Sequence, residues 1–470
     1  MITYENGCAK GIKIAYIGGG SRGWAWILMG DLAKQNKLLG EVCLYDINFE
    51  AAKLNVQIAN NINALPECAN NQWKYYAEDN IDRALKDADF VFISVLPGSF
   101  DEMASDLHTP NKYNVWQTVG DTTGPGGILR ALRTMPIYEG FANKIAEICP
   151  NAWIGNFTNP MAMCTSILTA TQPALKTFGL CHEVFGTQDL LATALKEETG
   201  ITARLHEIIV EVTGVNHFTF VTRAMYKNID LYPIYARFVD KYYDTGYDKG
   251  PIDDDHWINK YFKSTHRIKF DLFKNYGVIA AAGDRHLAEF CSGGRYLANE
   301  ATLEAWGSAI TPTSWRKEDM EKKMQRQKKM ASGEERFDYE FESGESTVSI
   351  MAALLGLGDI VANVNVPNIG QISNAPRGIV VETNAAIRAN EMSPSSVGCI
   401  PDNILGLTEN QFSAQKLILE SCQTKSVKPA FYALCNDPLV CNVSYADLRT
   451  MYAEMLHNTK KYLTMYDLSF

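Results

Sequence analysis

The sequence predicts an α/β protein: a Rossmann-type, doubly wound parallel sheet fused to a second domain that is mixed α/β and rich in helices. Two observations predict the sheet. They are a glycine-rich turn directly after a short apolar run, and a regular alternation of strand-like and helix-like segments up to Cys181. The length of 470 residues exceeds one typical domain and predicts two. We place them at residues 1–182 and 183–470.

The first predicted strand, residues 12–17, leads into Gly-Gly-Gly-Ser-Arg-Gly at residues 18–23 and then into a helix. In this G-x-G-x-x-G spacing, Gly18 makes the tight turn, Gly20 lets the backbone approach a pyrophosphate, and Gly23 lets the helix pack close to the strand. The helix N-terminus presents free N–H groups and positive potential to the phosphates. The turn therefore predicts a dinucleotide-binding first domain.

The second predicted strand, residues 42–45, ends at Asp46, the acid that such sites place beside the ribose. Its carboxylate would accept hydrogen bonds from the ribose hydroxyls and would repel the additional phosphate of NADP. We therefore predict NAD as the cofactor. The predicted cofactor-binding residues are Gly18, Gly20, Ser21, Arg22, Gly23 and Asp46.

The rest of the first domain keeps alternating between strands and helices. The predicted elements are, in order, helix 49–62, strand 73–76, a short helix capped by Asp79 or Asn80, strand 89–95, helix 128–148 with a bend at Pro136, and strands 152–156 and 176–181. Ligands of open parallel sheets bind at the carboxyl ends of the strands. The loops after Ser94, Asn156 and Cys181 should therefore converge on one site.

The second predicted domain has a different pattern of secondary structure from the first, with paired strands and a larger share of helix. The predicted elements are strands 207–213 and 218–226, helices 232–243 and 256–276, a charge-dense helix face at 317–329, helix 347–355, strands 359–366 and 378–382, and a largely helical tail from 409 to 466. We expect this domain to hold substrate, metal and oligomer contacts.

Composition excludes several classes of protein. The formal net charge of −10 argues against a nucleic acid partner. The N-terminus lacks the basic start and apolar core of a signal peptide, and no apolar run is long enough to span a membrane. The 11 cysteines are scattered without a framework spacing, which suits reduced thiols. We expect a cytoplasmic protein that acts on a small molecule.

Four segments outside the glycine turn concentrate polar groups in a glycine-rich loop or at predicted strand ends. They are residues 120–127 with Asp121, 156–160 with Asn159, 181–185 beginning Cys-His-Glu, and 214–217 ending Asn-His. Thiolate and imidazole can share one divalent ion, so Cys181 and His217 together predict a metal site that leaves positions open for substrate oxygens. Taken alone, each residue also has a structural interpretation, such as Asn159 capping the next helix.

A fifth segment, residues 282–290, places Asp284, Arg285, His286 and Glu289 within six positions. A salt-bridged turn would satisfy such a sequence. A site that contains an acid or a base is the alternative interpretation, because catalytic groups depend on charged neighbours to tune their pKa values.

Together these segments resemble glycoside hydrolase family 4, the NAD- and metal-dependent glycosidases. The motifs that carry the resemblance are the glycine turn, residues 120–127 with the following Arg-Ala-Leu-Arg-Thr, and residues 158–160, 181–184, 214–217, 283–290 and 365–370. The resemblance implies a Rossmann domain followed by a second α/β domain, assembled as a homodimer or homotetramer. It also implies NAD that is recycled and a metal, usually manganese, held by Cys181 and His217.

The family reaction oxidises sugar carbon 3 with NAD, removes the proton on carbon 2, expels the glycosidic oxygen from carbon 1, adds water and returns the hydride. By the resemblance, His182 would be the general acid at the leaving oxygen. Asp284 would be the base, with Tyr276 and His286 as alternatives. The remaining implied contacts are from Asp121 and Asn159 to sugar hydroxyls.

The sequence Cys-His-Glu-Val-Phe at residues 181–185 resembles the members that act on α-linked uronic acids, particularly α-galacturonides, rather than on 6-phospho sugars. A uronate carboxylate needs a cation, and Arg285, Arg130 or Arg133 could supply it by bidentate pairing. We assign Arg285 to the substrate. The alternatives are an α-glucuronidase, α-galactosidase or α-glucosidase of the same family, an NAD-dependent dehydrogenase, and a non-catalytic NAD-binding sensor.

Overall fold

The computed structural model of the chain describes residues 2–68, 72–248, 264–310, 312–337 and 346–470. Its strands are β1 Thr3–Glu5, β2 Cys8–Ile17, β3 Leu38–Tyr45, β4 Lys74–Glu78, β5 Phe90–Ile93, β6 Trp153–Asn156, β7 Lys176–Gly179, β8 Ile208–Val215, β9 Phe218–Tyr226, β10 Ile229–Asp230, β11 Ile279–Ala280, β12 Ile360–Pro367, β13 Val380–Arg388 and β14 Glu391–Pro394.

The α-helices of the described residues comprise Trp24–Lys34, Phe49–Asn63, Ile81–Leu85, Phe100–His108, Gly124–Ile148, Met161–Thr171, Glu183–Thr199, Tyr232–Tyr242, Arg267–Tyr276, Asp284–Glu289, Gly293–Tyr296, Glu300–Ala305, Thr313–Ser332, Thr347–Leu354, Asp402–Thr424, Lys428–Cys435 and Tyr445–Thr459. None of these helices is both long and apolar enough to cross a bilayer.

The main sheet confirms the predicted fold class. Its strands run in the order β14-β13-β12-β7-β6-β5-β2-β3-β4, and β1 pairs with β2. The six strands from β7 to β4 are parallel to one another, which is the strand order of doubly wound dinucleotide-binding folds. The order reverses at β2, so the ligand crevice is expected at the carboxyl ends of β2, β3 and β5.

The second half of the chain continues this sheet instead of standing apart from it. Strand β12 joins the edge of β7 in antiparallel orientation through Asn365 and Gly179, and β13 and β14 extend the edge further. The largest buried apolar cluster also draws residues from both halves. The two predicted domains therefore share one sheet and one core. The boundary between residues 182 and 183 stays a prediction.

A second, antiparallel sheet of four strands lies in the second half, with β9 pairing with β8, β10 and β11. It confirms the predicted strand pair. Strands β8 and β9 are joined by a two-residue turn, Asn216-His217, in which His217 has a φ of +65°. This left-handed conformation is uncommon for a residue with a Cβ and is held by its surroundings.

Most predicted elements are confirmed within a few residues, including the cap of helix Ile81–Leu85, where Asn80 accepts the Arg83 N–H at 3.1 Å. The predicted helix 256–276 begins only at Arg267 in the described part, and residues 256–263 lie outside it. Helix Gly124–Ile148 is continuous through Pro136.

The missing N–H of Pro136 deprives the carbonyl of Leu132, one turn earlier, of its helical donor. The buried hydroxyl of Tyr466, near the end of the chain, donates to that carbonyl at 3.1 Å. A residue more than 300 positions away thus satisfies the acceptor that the proline leaves open, and the C-terminal segment is fastened to this helix.

Candidate active site

The glycine turn closes the carboxyl end of β2 against its two neighbours. The N–H groups of Gly18 and Gly19 both donate to the Tyr45 carbonyl, at 2.9 and 2.8 Å. Gly18 has a φ of +97°, and a Cβ on it would lie 1.9 Å from the Ser94 carbonyl oxygen. Only glycine can occupy this position, because both the conformation and the space exclude a side chain.

The role predicted for Gly23 is wrong. A Cβ built on Gly23 would meet no atom within 4 Å, so this residue does not mediate close packing of the helix. A Cβ on Gly19 would instead lie 2.6 Å from the Leu44 Cβ. The close approach between turn and sheet therefore occurs at Gly19, which the G-x-G-x-x-G pattern leaves unspecified.

Asp46 stands beside this turn, as predicted from the sequence. Its Oδ2 accepts the Gly20 N–H at 2.9 Å, and its Oδ1 accepts the Asn48 N–H at 2.8 Å. A Cβ on Gly20 would lie 2.9 Å from the same Oδ2. The carboxylate is thus fixed at the end of β3, half-buried and beside the helix N-terminus.

Ser21 and Arg22 complete the turn in different ways. The Ser21 N–H donates to the Gly18 carbonyl at 2.9 Å and closes the turn. The Arg22 Nε donates to the Gln327 Oε1 at 2.8 Å, so its guanidinium is directed at helix Thr313–Ser332. Arg22 therefore links the predicted dinucleotide site to the second half of the chain.

The loops that follow the parallel strands do converge. The Val95 N–H, after β5, donates to the Thr158 hydroxyl after β6 at 2.9 Å. The ring of Trp24, directly behind the glycine turn, lies 5.9 Å from the Phe157 ring and 5.6 Å from the His182 ring. His182 is exposed at the start of helix Glu183–Thr199, at the rim of this crevice.

Three side chains of different segments form a compact group: Asp121, His217 and His286. Their potential ligand atoms all lie within 4.8 Å of one another. The two imidazoles stack with centroids 3.7 Å apart, and the His217 Nδ1 lies 2.8 Å from the Thr122 hydroxyl. One carboxylate and two imidazoles are a donor set that suits a divalent transition-metal ion.

The electrostatics of the group favour the forms that bind a metal. Burial, together with the charge of His286, lowers the pKa of His217 to about 3, so its imidazole is neutral near pH 7. Burial alone would raise the pKa of Asp121, but the two histidines and Arg130 hold it well below its usual range. A neutral imidazole beside an ionised carboxylate is ready to coordinate without first losing a proton.

Cys181 does not belong to this group among the residues that the structure describes. Burial raises the pKa of its thiol well above the usual value, and the carboxylates of Glu382 and Glu183 raise it further, while the Asn216 side chain lowers it. A thiol in this setting stays protonated until a cation arrives. The predicted pairing of Cys181 with His217 stays a prediction.

Glu183 connects the cysteine segment to the 282–290 segment. Its Oε2 accepts the Gly283 N–H at 2.7 Å, and its Oε1 lies 3.6 Å from the His286 Nε2. Burial opposes ionisation, but the nearby histidine charges and the Gly283 N–H lower the pKa of Glu183 to about 2. This carboxylate therefore holds the Gly283 backbone and orients His286.

Asp284 and Tyr276, two of the three residues considered for the base, are engaged elsewhere. Asp284 is fully buried, and its carboxylate accepts the N–H groups of Lys269 at 3.0 Å and Ile268 at 3.3 Å, in the first turn of helix Arg267–Tyr276. Burial raises its pKa to about 6. The Tyr276 hydroxyl accepts a hydrogen bond from Arg295 at 2.9 Å.

Of the predicted substrate contacts, Asn159 directly contacts the group of Asp121, His217 and His286, which we name the metal-binding group. Its Nδ2 donates to the Asp121 Oδ2 at 3.1 Å, and its Oδ1 is buried with no hydrogen-bond partner in the described ranges. Arg285 is nearly buried and donates to the Thr118 carbonyl at 3.1 Å. The free acceptor on Asn159 suits a ligand hydroxyl.

Sequence reasoning missed the side chains that brace the loop carrying Asp121. The Glu289 Oε1, fully buried, accepts the N–H groups of Val119 at 2.7 Å and Gly120 at 2.9 Å. On the other side of the loop, the Asp437 Oδ2 accepts the Gly124 N–H at 3.1 Å. The acid-rich 282–290 segment signalled Glu289, but no local pattern points to Asp437.

Comparisons with known proteins agree on one family. Two family models match this chain, family 4 glycosyl hydrolase over residues 13–197 and its C-terminal domain over residues 212–440. The chain is 50% identical over 462 residues to an alpha-galacturonidase from Thermoanaerobacter italicus, spanning 98% of this chain and 99% of that protein. It is 45% identical over 446 residues to an alpha-galacturonidase from Bacillus subtilis, spanning 95% and 97%.

Two solved structures are similar in fold. A Bacillus subtilis protein described as a glucosidase superposes with a TM-score of 0.89 at 44% identity, covering 95% of this chain and all of that one. A 6-phospho-alpha-glucosidase from gut microorganisms, solved in complex with NAD and Mn2+, superposes with a TM-score of 0.78 at 18% identity, covering 96% and 99%. The second match concerns the fold alone.

Proposed function

Because the chain belongs to the family 4 glycosyl hydrolases, we propose that it hydrolyses α-linked galacturonides with NAD and a divalent metal ion, without net oxidation. The observation that carries the proposal is its 50% identity, over nearly the full length, to an alpha-galacturonidase. The partly buried group of Asp121, His217 and His286, together with the glycine turn held by Asp46, supports the same reaction class.

The residues present fit both cofactors. Gly18, Gly20 and Asp46, with Ser21, Arg22 and Gly23, would bind NAD. His217 and Cys181 would hold the metal, and Asp121 would add a carboxylate oxygen or receive a sugar hydroxyl. Bound NAD supplies a reversible hydride acceptor, and a bound divalent ion polarises sugar oxygens and stabilises an enolate. Manganese is the metal that we propose.

The protein's own groups would handle the protons. We propose that the base at carbon 2 is His286, because it lies in the group with His217, whereas Asp284 caps a helix and Tyr276 pairs with Arg295. Glu183 beside His286 would stabilise the imidazolium that forms. His182, exposed at the rim, would protonate the leaving glycosidic oxygen.

Sugar recognition would use the free acceptor on Asn159. Its buried Oδ1 would accept a hydrogen bond from a sugar hydroxyl, while its Nδ2 would stay on Asp121. A ligand lacking that hydroxyl would leave the acceptor buried without a partner, which costs about 1–3 kcal/mol. Asn159 would therefore contribute to selection among sugars.

The proposal is tested with pure protein and 4-nitrophenyl α-D-galacturonide, compared with the α-glucuronide, α-galactoside and α-glucoside. NAD, Mn2+ and reducing agent are each omitted in turn. We expect release only from the galacturonide, requiring NAD and the metal and leaving no net NADH. Release from a neutral glycoside would retain the mechanism and overturn the uronate assignment. Net NADH formation would indicate a dehydrogenase.

We also propose a cytoplasmic homodimer or homotetramer. All eleven cysteines lie in the described part of the chain as free thiols, which suits a reducing compartment. Light scattering of the purified protein at several concentrations tests the oligomer. A mass of 52.4 kDa at every concentration would correspond to the monomer and would overturn this part.

A further inference from the structure

A galacturonide differs from a galactoside by one carboxylate, so selective binding needs a cation within one sugar ring of the metal-binding group. Arg133 cannot be that cation. Its Nη1 donates to the Asp106 Oδ1 at 2.9 Å and its Nη2 to the Asp106 Oδ2, and both side chains are at most 2% exposed. The charge of Arg133 is therefore already neutralised inside the protein.

Arg130, one helical turn earlier, is held differently. Its Nε donates to the backbone carbonyl of Asn159 at 3.1 Å, which is a neutral partner. Among the residues that the structure describes, neither Nη nitrogen of Arg130 has a hydrogen-bond partner, and no carboxylate lies within 4.0 Å of it. The Nε hydrogen bond fixes the plane of the guanidinium. It leaves the edge formed by the two Nη nitrogens, which can bind a carboxylate, without a partner among the described residues.

The position of Arg130 suits a bound sugar. It is anchored on Asn159, and the Asn159 side chain bonds Asp121 of the metal-binding group. The three residues form a continuous chain from the guanidinium to the proposed metal position. A sugar that contacts Asn159 and Asp121 would therefore lie next to the Arg130 guanidinium.

Two further arginines, Arg285 and Arg316, interact electrostatically with the same group of charges, which also includes the Asp121 carboxylate. Burial and the charge of Arg316 lower the pKa of Arg285, to about 10. Burial also lowers the pKa of Arg316, the Asp121 carboxylate opposes this, and the charge of Arg130 lowers the pKa further. Arg316 comes from helix Thr313–Ser332, so both halves of the chain contribute to this field.

We propose that Arg130 binds the carboxylate of the uronic acid through its two Nη nitrogens and so selects charged over neutral glycosides. The inference rests on the proposed function and adds the residue that distinguishes its substrate class. Arg285, which donates to the Thr118 carbonyl, braces the adjacent loop and contributes charge rather than direct contact.

The test compares wild type, Arg130→Gln and Arg130→Lys on 4-nitrophenyl α-D-galacturonide and α-D-galactoside. Arg388→Gln is the matched control, since that arginine is 54% exposed in an ion pair with Glu391, where β13 pairs with β14. A charge-assisted bidentate contact corresponds to a factor of about 10–100 in kcat/KM. We expect R130Q to lose that factor on the galacturonide, mainly through KM, to release nothing from the galactoside, like wild type, and to bind NAD with the affinity of Arg388→Gln.

Arg130→Lys keeps the charge but not the planar fork, so we expect its kcat/KM on the galacturonide to lie between those of R130Q and wild type. Free galacturonate should protect wild type, but not R130Q, from thermal unfolding. An unchanged KM for the galacturonide in R130Q, or an equally large loss of NAD affinity in that variant, would overturn the role of Arg130. If wild type itself does not cleave the galacturonide, the proposed function fails instead, and the two failures are distinguishable. Should R130Q not fold, R130K carries the same comparison.

Discussion

Replacement of Glu289 by alanine should both destabilise the protein and loosen the loop that carries Asp121. The Glu289 Oε1 accepts two backbone N–H groups, from Val119 and Gly120, and the Thr118 hydroxyl at 3.0 Å. The Thr118 hydroxyl also donates to the Arg285 carbonyl and keeps that partner. The variant therefore leaves two buried N–H groups without an acceptor.

The expected magnitude follows from this count. A buried donor left without a partner costs about 1–3 kcal/mol, so the two together cost about 2–6 kcal/mol of unfolding free energy. Burial raises the pKa of Glu289, and removing a carboxyl group that is costly to ionise offsets part of this loss. We expect Glu289→Ala to lose about 3 kcal/mol, and Glu289→Gln, which retains an acceptor oxygen, to lose about 1 kcal/mol.

The assay is denaturant unfolding of wild type, both variants and the control Glu420→Ala, which alters an exposed glutamate in a helix. Binding of Mn2+ by electron paramagnetic resonance is measured on the same samples. We expect weaker metal binding in Glu289→Ala, because Asp121 follows Gly120 directly. An unfolding midpoint equal to that of Glu420→Ala, with unchanged metal affinity, would refute the reasoning.

Three further predictions concern other parts of the molecule. Cys181→Ser should abolish metal-dependent hydrolysis while NAD binding, followed by fluorescence, is unchanged; full activity would remove Cys181 from the metal site. Asp106→Ala should lower the unfolding free energy by about 3–5 kcal/mol, because it leaves the buried Arg133 guanidinium without its carboxylate. The double variant Asp106→Leu/Arg133→Met should lose less unfolding free energy than Asp106→Ala, and an equal loss in the two variants would contradict this explanation. The unfolding free energy of wild type should fall as the pH is lowered from about 6.5 towards 3, because the unfolded chain binds a proton at His217 that the folded chain excludes. For one proton, the unfolding free energy should change by up to about 1.4 kcal/mol per pH unit. In His217→Gln the unfolding free energy should depend less on pH between 6.5 and 4.5.

The local sequence was sufficient to predict the structure wherever a single short segment determines its own conformation. The strand, glycine turn and acid of the dinucleotide site lie within 35 residues, and the Gly18 conformation and the position of Asp46 follow from that spacing. The cap at Asn80 and the alternation of strands and helices are local in the same sense. The convergence of the loops after β5, β6 and β7 follows from the general geometry of parallel sheets.

The sequence pattern was insufficient where packing between distant segments chooses among similar residues. Gly19 and Gly23 are both glycines of the same turn, and their residue type does not tell which one packs against the sheet. In the structure only Gly19 lies against Leu44. Arg130 and Arg133 differ by one helical turn, and only Arg133 meets a buried aspartate. Asp437 braces the Asp121 loop across more than 300 residues, and no spacing rule reports such a contact.

The sequence by itself determined the fold class, the family and the list of residues able to carry the chemistry, because these depend on short motifs and on the period of apolar residues. The tertiary structure alone decided which of those residues meet. It joined His286 to His217 and Asp121, engaged Asp284 at a helix end, and left the Arg130 fork open. The reason is physical: burial and long-range hydrogen bonding set the environment of a charged group, and that environment determines what the group can do.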